Sequence, residues 1–459
     1  VVDRTIMPTA SGTNIYQAPV PSREILRNGL NILFCHKSSV PMVACGLVLR
    51  HGGASDPVDL PGLSSMTASM ILEGTSSLSS RQLSEEMEFM GSHMSSDVGR
   101  EHGLVSFEVL SAHWSRAVQI MADMLQNPIF PEKEMERIRA ERLSDIERIS
   151  DDPVGIAHRV VRSLVYGVDD AYGHPIFGSK QSISRVSVGE VIGYYADHYS
   201  PEDATLLVVG DLDKDKMVAH LDKQFGSWIQ KNHTPNLPKG NFDNVEPQPT
   251  TIFLVDKPGA AQSVIRAGQL TIARPHNDFY PMDLLNYIFG GHPAARLFLN
   301  LRQDKGYSYG YYSTVDWLNI PSAIFAGGAV QTAVTTEAVI ETLKEFKDLR
   351  VDRPVEPTEF AAAKDGSLRS FPSRFEGNSQ LLMQFSNLIV FDLPDDYYSD
   401  FAVRIGEVTL DDVRRVAHER IDENSLVVVV VGDMNSIEPG LRQLGFPIKY
   451  VSHEGHLFG

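Results

Sequence analysis

The chain has 459 residues, 42% hydrophobic and 22% charged, an ordinary globular composition long enough for roughly two to three domains. Lys and Arg number 41 against 59 Asp and Glu, a formal charge of −18, which argues against nucleic acid as a partner because phosphate binding needs basic patches. No apolar run approaches the roughly 20 residues of a membrane-crossing helix, so no membrane span is predicted.

The opening stretch, VVDRTIMPTASG, has neither the basic region nor the apolar core of a signal peptide and does not begin with Met. A processed N-terminus and an exported protein are expected. Two apolar runs follow, LNILFCHK and PMVACGLVLR, separated by the turn-like SSVP. If they pair as antiparallel strands folding near Val40, Cys35 and Cys45 face each other as a candidate disulfide. The alternative is two buried thiols acting as small hydrophobes.

Residues 62–75 read GLSSMTASMILEGT. Leu63, Met66 and Met70 recur at i, i+3 and i+7 and form one apolar helix face, while Ser65, Ala68 and Ser69 share another. PVGIAHRVVRSLVYG is a second predicted helix. Ile156, Val160, Val161 and Leu164 lie on one face, Asp152 can cap the start and Gly167 can end it. VSVGEVIGYYADHY is another helix, feeding the strand ATLLVVG. Residues 230–250, rich in Pro, Asn and Gly and without periodicity, have the composition of a linker.

The chain then repeats itself. Lys37 aligns with Lys257 at an offset of 220, and Gly210 with Gly432 at 222. Two distant landmarks sharing nearly one offset mark a duplication. The expected organisation is an N-terminal half at 1–235, a linker at 236–250 and a C-terminal half at 251–459. Each half opens with strands, passes through helices and closes on a β-branched run. That order predicts an α+β fold of two homologous halves, each a mixed, mostly antiparallel sheet with helices packed mainly on one face.

In the second half, residues 290–316 read GGHPAARLFLNLRQDKGYSYGYYSTVD. Leu297, Phe298 and Leu301 are expected on one helix face, with Lys305 in the last turn and Gly306 as the cap. A strand follows in which Tyr307, Tyr309 and Tyr311 should alternate onto one face. Taken alone, Arg302 reads as a solvated helix charge and Tyr309 as a core aromatic. His36, His51, His93, His102, His113, His158, His174 and His198 show no ligand spacing, and His453 and His456 fall in a polar stretch at the chain end, where mobility is expected.

On these residues the sequence resembles the inverted-motif zinc peptidases, the family of pitrilysin and the mitochondrial processing peptidase. That family's motif runs Gly-Leu-Ala-His-Phe-Leu-Glu-His-Met, then Gly-Thr. Gly62, Leu63, Met70, Gly74 and Thr75 match it, but the two His positions fall on Ser65 and Ser69 and the Glu on Ala68. A third ligand, a Glu before ERISDDP, falls on Asp145. Serine hydroxyls are poor zinc ligands and Ala68 cannot act as a base. The resemblance therefore implies no metal and no cofactor in this chain, with the helix kept as scaffold.

The second half is similar to the family's other signature, matched in order by Arg296, Leu297, Phe298, Arg302, Gly306 and Tyr309. In the family that Arg and Tyr reach the zinc site from the opposite half and hold the substrate carbonyl. Some bacterial members work as two chains, one holding zinc and the other supplying Arg and Tyr. The resemblance, spanning roughly residues 24–450, implies a non-catalytic subunit of a heterodimeric zinc peptidase. Arg302 and Tyr309 would bind peptide in trans, zinc would belong to a homologous partner, and the compartment would be the periplasm. The alternative is a non-proteolytic scaffold or assembly subunit of the same fold, which need not keep Arg302 and Tyr309. A third reading is a self-sufficient enzyme with an unrecognised site.

Overall fold

The computed structural model describes residues 16–229, 242 and 248–458. Six strands form the first sheet: β1 Ser22–Ile25, β2 Asn31–His36, β3 Met42–Leu49, β4 Ser95–Val98, β5 Gly103–Leu110 and β6 Ala204–Gly210. Their spatial order is β1-β2-β6-β3-β5-β4, antiparallel throughout except for β2 beside β6. The second sheet holds β7 Thr251–Asp256, β8 Gln262–Leu270, β9 Ser308–Asp316, β10 Ala323–Gln331, β11 Val427–Gly432 and β12 Ile448–Tyr450. Its order is β12-β7-β11-β8-β10-β9, with β7 parallel to both β11 and β12. The fold is α+β, with two mixed, mostly antiparallel sheets, as expected.

The repeat is visible in single hydrogen bonds. Lys37 N donates to Gly210 O at 3.0 Å, and Lys257 N donates to Gly432 O at 2.8 Å. The residues that align the two halves in sequence thus meet at the same corner of each sheet. Helix caps repeat too. Ser187 and Glu190 form a capping box before the helix Val188–His198, and Thr409 and Asp412 form one before Leu410–Arg420. Asp152 caps the helix Pro153–Tyr166, accepting from Val154 N and Gly155 N, and Gly167 follows at φ 101°. The predicted helix bounds hold there because cap and stop are both local.

The hairpin expected around Val40 does not form. β6 inserts between β2 and β3, pairing Cys35 with Val209 and Cys45 with Val208. Two strand spacings put the Cα atoms of the two cysteines about 9–10 Å apart, beyond the roughly 7 Å across which a disulfide can form. They also point to opposite faces of the sheet, Cys35 into one core and Cys45 into another. Both are buried and free.

One face of the first sheet is covered by its own helices, including Leu63–Ile71 and Trp114–Gln126. The other face is covered from the second half. The helix Asn378–Val390 lays Leu381, Leu382 and Phe385 against Leu33, Ala44, Val48, Leu207 and Val209. Its approach is close enough that a Cβ at Gly46 would sit 2.9 Å from Leu382 Cδ2. The exchange is reciprocal. Pro153–Tyr166 packs Ile156, Val160 and Val161 onto Val255, Val264, Val429 and Val431 of the second sheet. Each such side chain contributes roughly 1.5–3 kcal/mol by leaving water.

A polar contact reinforces the junction. The Glu101 carboxylate, 4% exposed, accepts from Asn319 N at 2.9 Å, Asn319 Nδ2 at 3.0 Å and Tyr172 OH at 3.1 Å. Most of the expected linker, 236–250, lies outside the described residues. The C-terminal stretch is not loose. Val451 bridges to Leu457, Ser452 N donates to His456 O at 2.8 Å, and Gly455 at φ 90° packs against Ser163.

Candidate functional site

The helix Leu63–Ile71 starts where the backbone turns through Gly62 at φ 95°, with the Gly178 backbone 2.8 Å from where a Cβ would lie, so no side chain fits. The buried Asp56 carboxylate accepts from Gly62 N and Ser64 N, each at 2.6 Å, and satisfies the first free donors of the helix. Leu63, Met66 and Met70 are buried in the first half's core, as their spacing predicts.

Ser65 and Ala68 are buried and Ser69 is half-buried on the neighbouring face. Ser69 Oγ donates to Ser65 O at 3.1 Å. Arg142, on the helix Glu132–Asp151, donates from Nη2 to Ser69 Oγ at 3.2 Å. Its guanidinium lies 4.5 Å from the Phe177 ring centroid. Burial pulls its pKa below the ordinary value, opposed by the charge of Asp145. Asp145 itself is 58% exposed and pairs with Arg148 at 3.0 Å. Two hydroxyls, a methyl group and a carboxylate turned toward another cation do not fit zinc, whose catalytic sites take three imidazole, thiolate or carboxylate ligands and leave one position open. A guanidinium already engages the position an imidazole would use. Among the described residues no group of three or more His, Cys, Asp or Glu could hold a metal ion.

The second half differs. One α-turn, Arg296–Phe298, widens into a π-helix at Leu299–Asp304. The wider turn rotates the expected face. Leu297 and Leu301 are buried, while Phe298 is half-buried with its ring 5.5 Å from Tyr312. Arg296 is structural, bonded through Nη2 and Nε to Glu359 at 2.6 and 2.8 Å and through Nη1 to Arg353 O at 2.7 Å. Gly306, at φ 67°, ends the helix in the left-handed region.

Tyr309 and Tyr311 do not share a face. Tyr311 is fully buried with its OH 2.6 Å from Thr342 Oγ1, whereas Tyr309 is 84% exposed. A β-bulge is the cause. Gly328 pairs with Tyr311 and Val330 with Ser308, so β9 carries one residue more than β10 over that span. Ser308 Oγ staples the bulge, its one proton shared between Gly310 O at 2.8 Å and Ala329 O at 2.7 Å, while it accepts from Gly310 N at 3.1 Å. The extra residue turns Tyr309 outward, over the guanidinium of Arg302, whose Cζ is 5.1 Å from the ring centroid. Arg302 is exposed, and no ion pair engages it among the described residues. β9 is the edge strand of its sheet. The result is a guanidinium and a phenol, both donors, held together beside a sheet edge.

Sequence reasoning missed Arg142, because its contact depends on how two distant helices pair. It also missed the bulge, for which Gly310 inside a strand pattern was an available signal.

Two family models match the chain. The one described as Insulinase (Peptidase family M16) covers residues 31–177, and the one described as Peptidase M16 inactive domain covers 185–367. An uncharacterized zinc protease of Bacillus subtilis is 26% identical over 328 residues, 71% of this chain and 78% of the relative. An uncharacterized zinc protease of Rickettsia felis is 29% identical over 289 residues, 62% of this chain and 67% of the relative. A peptidase M16 inactive domain from Pseudomonas fluorescens has the same fold with a TM-score of 0.82 at 20% identity, covering 90% of this chain and 97% of that one. The periplasmic protease PqqL of Escherichia coli gives 0.72 at 15% identity, covering 94% of this chain and 49% of that one. With two models of one family adjoining across both halves, and with the helix flanks and the Arg–Tyr segment in place, the chain belongs to peptidase family M16, the inverted-motif zinc peptidases.

Proposed function

We propose that this chain is the zinc-less, non-catalytic subunit of a two-chain M16 peptidase, and that Arg302 and Tyr309 act in trans on a peptide held by a homologous, zinc-bearing partner. The observation that carries the reading is the exposed Arg302–Tyr309 pair, turned outward by a stapled bulge and unclaimed by any carboxylate among the described residues. A packing residue gains nothing from such exposure. Two aimed donors meet the negative charge that develops on a peptide carbonyl oxygen under attack. The substrate would be an extended peptide added to a sheet edge of the partner. This chain would carry no cofactor, and zinc would reside in the partner. The proposed compartment is the periplasm, in line with the description of the Escherichia coli protease of the same fold.

The test is reconstitution. The purified chain, alone and mixed with its zinc-bearing homologue, is assayed on an unfolded fluorogenic peptide. Inactivity alone, activity in the mixture and loss of that activity with Arg302→Ala are the expected results. Parental rates for both Arg302→Ala and Tyr309→Phe in a demonstrably assembled complex would overturn the in-trans role and favour a scaffold subunit.

A further inference from the structure

Away from the Arg302–Tyr309 site, the second half contains a cleft of about 350 Å³ at the start of the helix Phe279–Phe289. Its floor carries a buried cation. Arg274 is 7% exposed, yet no carboxylate lies within ion-pair distance of it among the described residues. Its Nη2 donates to Tyr397 OH at 2.8 Å, and its Nε and Nη1 donors have no acceptor among the described residues. The guanidinium is held flat by aromatic rings, with Cζ 3.4 Å from the Phe279 centroid and 5.2 Å from that of Tyr397. Burying an arginine without an anion is costly, and the usual compensation is a hydrogen-bonded counter-charge.

Two of the acids around the cleft are committed elsewhere. Asp278 is committed to Arg415 at 2.6 Å, and Asp412 caps Thr409 N at 3.0 Å. Asp283, on the same helix, lies within electrostatic reach of Arg274 and Arg374 but outside ion-pair distance of either, and burial raises its pKa. On the rim, Arg404 is exposed and free of ion pairs among the described residues, with Glu407 the remaining uncommitted acid. Arg274 and Arg404 both line this cleft, beside Tyr280. Its walls there are apolar or aromatic, from Phe279, Tyr280, Tyr397 and Leu393.

We propose that this cleft binds a carboxylate borne on an apolar or aromatic group, with Arg274 and Arg404 receiving the carboxylate and the rings receiving its neighbour. A C-terminal peptide residue and a small aromatic acid share that chemistry. The site is independent of the proposed role of Arg302 and Tyr309. Charge-assisted hydrogen bonds to a fixed guanidinium fork give the selectivity for the ionised group.

The experiment titrates the full chain with N-acetyl-phenylalanine, with its uncharged amide, and with a tripeptide ending in a free phenylalanine carboxylate. Trp317, whose ring is 4.8 Å from Phe279, supplies a fluorescence reporter beside calorimetry. The acid should bind at least about tenfold more tightly than the amide. Tighter binding of the tripeptide than of the single residue assigns a peptide end, and the reverse assigns a small acid. Arg274→Leu risks the fold, so Arg404→Ala on the exposed rim is the second variant. It should keep the melting temperature and weaken the acid severalfold without changing the amide. Equal binding of acid and amide, no binding of either at about 10 mM, or an Arg404→Ala variant with parental acid affinity would each overturn the proposal.

Discussion

Arg302 and Tyr309 stand on different elements and touch, with the guanidinium carbon 5.1 Å from the ring centroid and the ring 84% exposed. An exposed cation–π contact of this kind contributes about 0.5–1 kcal/mol, a preference of roughly two- to fivefold for the paired orientation. Tyr309→Phe keeps the ring and removes the hydroxyl. In the assembled complex it should lower turnover on the order of a hundredfold, the usual cost of one oxyanion donor, while urea unfolding stays within about 0.5 kcal/mol of the parent. A variant with parental turnover means the phenol is not a donor to the reacting oxygen.

Ser308→Ala tests whether the bulge is what aims Tyr309. The hydroxyl is buried, shares its proton between Gly310 O and Ala329 O and accepts from Gly310 N. Removing it should cost about 1–3 kcal/mol in chemical denaturation. Amide exchange at residues 308–310 should quicken, and activity of the assembled complex should fall further than stability accounts for. A stability loss without an activity loss would separate the staple from the aim.

Restoring the motif alone should not restore a metal site. The variant Ser65→His, Ala68→Glu, Ser69→His still has Arg142 beside position 69 and Asp145 paired with Arg148. Like the parent chain, it is expected to carry no stoichiometric zinc after dialysis, by elemental analysis. Adding Arg142→Leu and Asp145→Glu removes the competing cation and lengthens the carboxylate, and only that set should gain affinity. One tightly held zinc in the triple variant would show that Arg142 is no obstacle.

Thiol titration in denaturant without reductant should find two free thiols, whatever compartment the protein is taken from. The strand order keeps Cys35 and Cys45 apart. In the folded protein Cys45 should react far more slowly, since it is fully buried and burial pushes its thiol up, out of the thiolate form. Recovery of an intramolecular disulfide would contradict the order of the first sheet.

His51 makes stability depend on pH. Burial, with a contribution from nearby His198, pulls its pKa down to about 3. The unfolded chain binds a proton below its ordinary value of 6.5, while the folded protein does not. Its contribution to stability is therefore lost as pH falls from about 6.5 toward 3, by up to roughly 1.4 kcal/mol per pH unit. Asp56 works oppositely, since burial raises its pKa to about 7 and the fold keeps its proton where the unfolded chain releases it. A difference measurement isolates the histidine. The stability of His51→Phe relative to the parent should move in the variant's favour across that window, and a pH-independent difference would remove His51 from the acid limb.

Much of this was legible from sequence because it was local or periodic. The cap at Asp152, the apolar face of Leu63, Met66 and Met70, and the doubled Lys–Gly landmarks depend on neighbours in the chain or on a fixed offset. Arg302 and Tyr309 could be placed in order but not in contact, because their meeting needs the π-turn and the bulge. Cys35 and Cys45 misled because adjacent runs suggest adjacent strands, and the strand between them arrives about 160 residues later, across a crossover that no local pattern encodes. Arg274 and Arg142 gave no signal at all, since an arginine in sequence does not reveal whether a carboxylate will meet it.

The exchanged helices make the two halves inseparable. Ile156, Val160 and Val161 close a sheet that belongs to the other half, and Leu381, Leu382 and Phe385 return the favour. A lineage that deleted the N-terminal half would strip Val255, Val264, Val429 and Val431 of their cover and leave the strands bearing Arg302 and Tyr309 without a core. Ser65, Ala68 and Ser69 all sit in one helix, but the polypeptide around that helix could not be shed without uncovering the second sheet. Each half is therefore a structural requirement of the other, whichever of them meets a ligand.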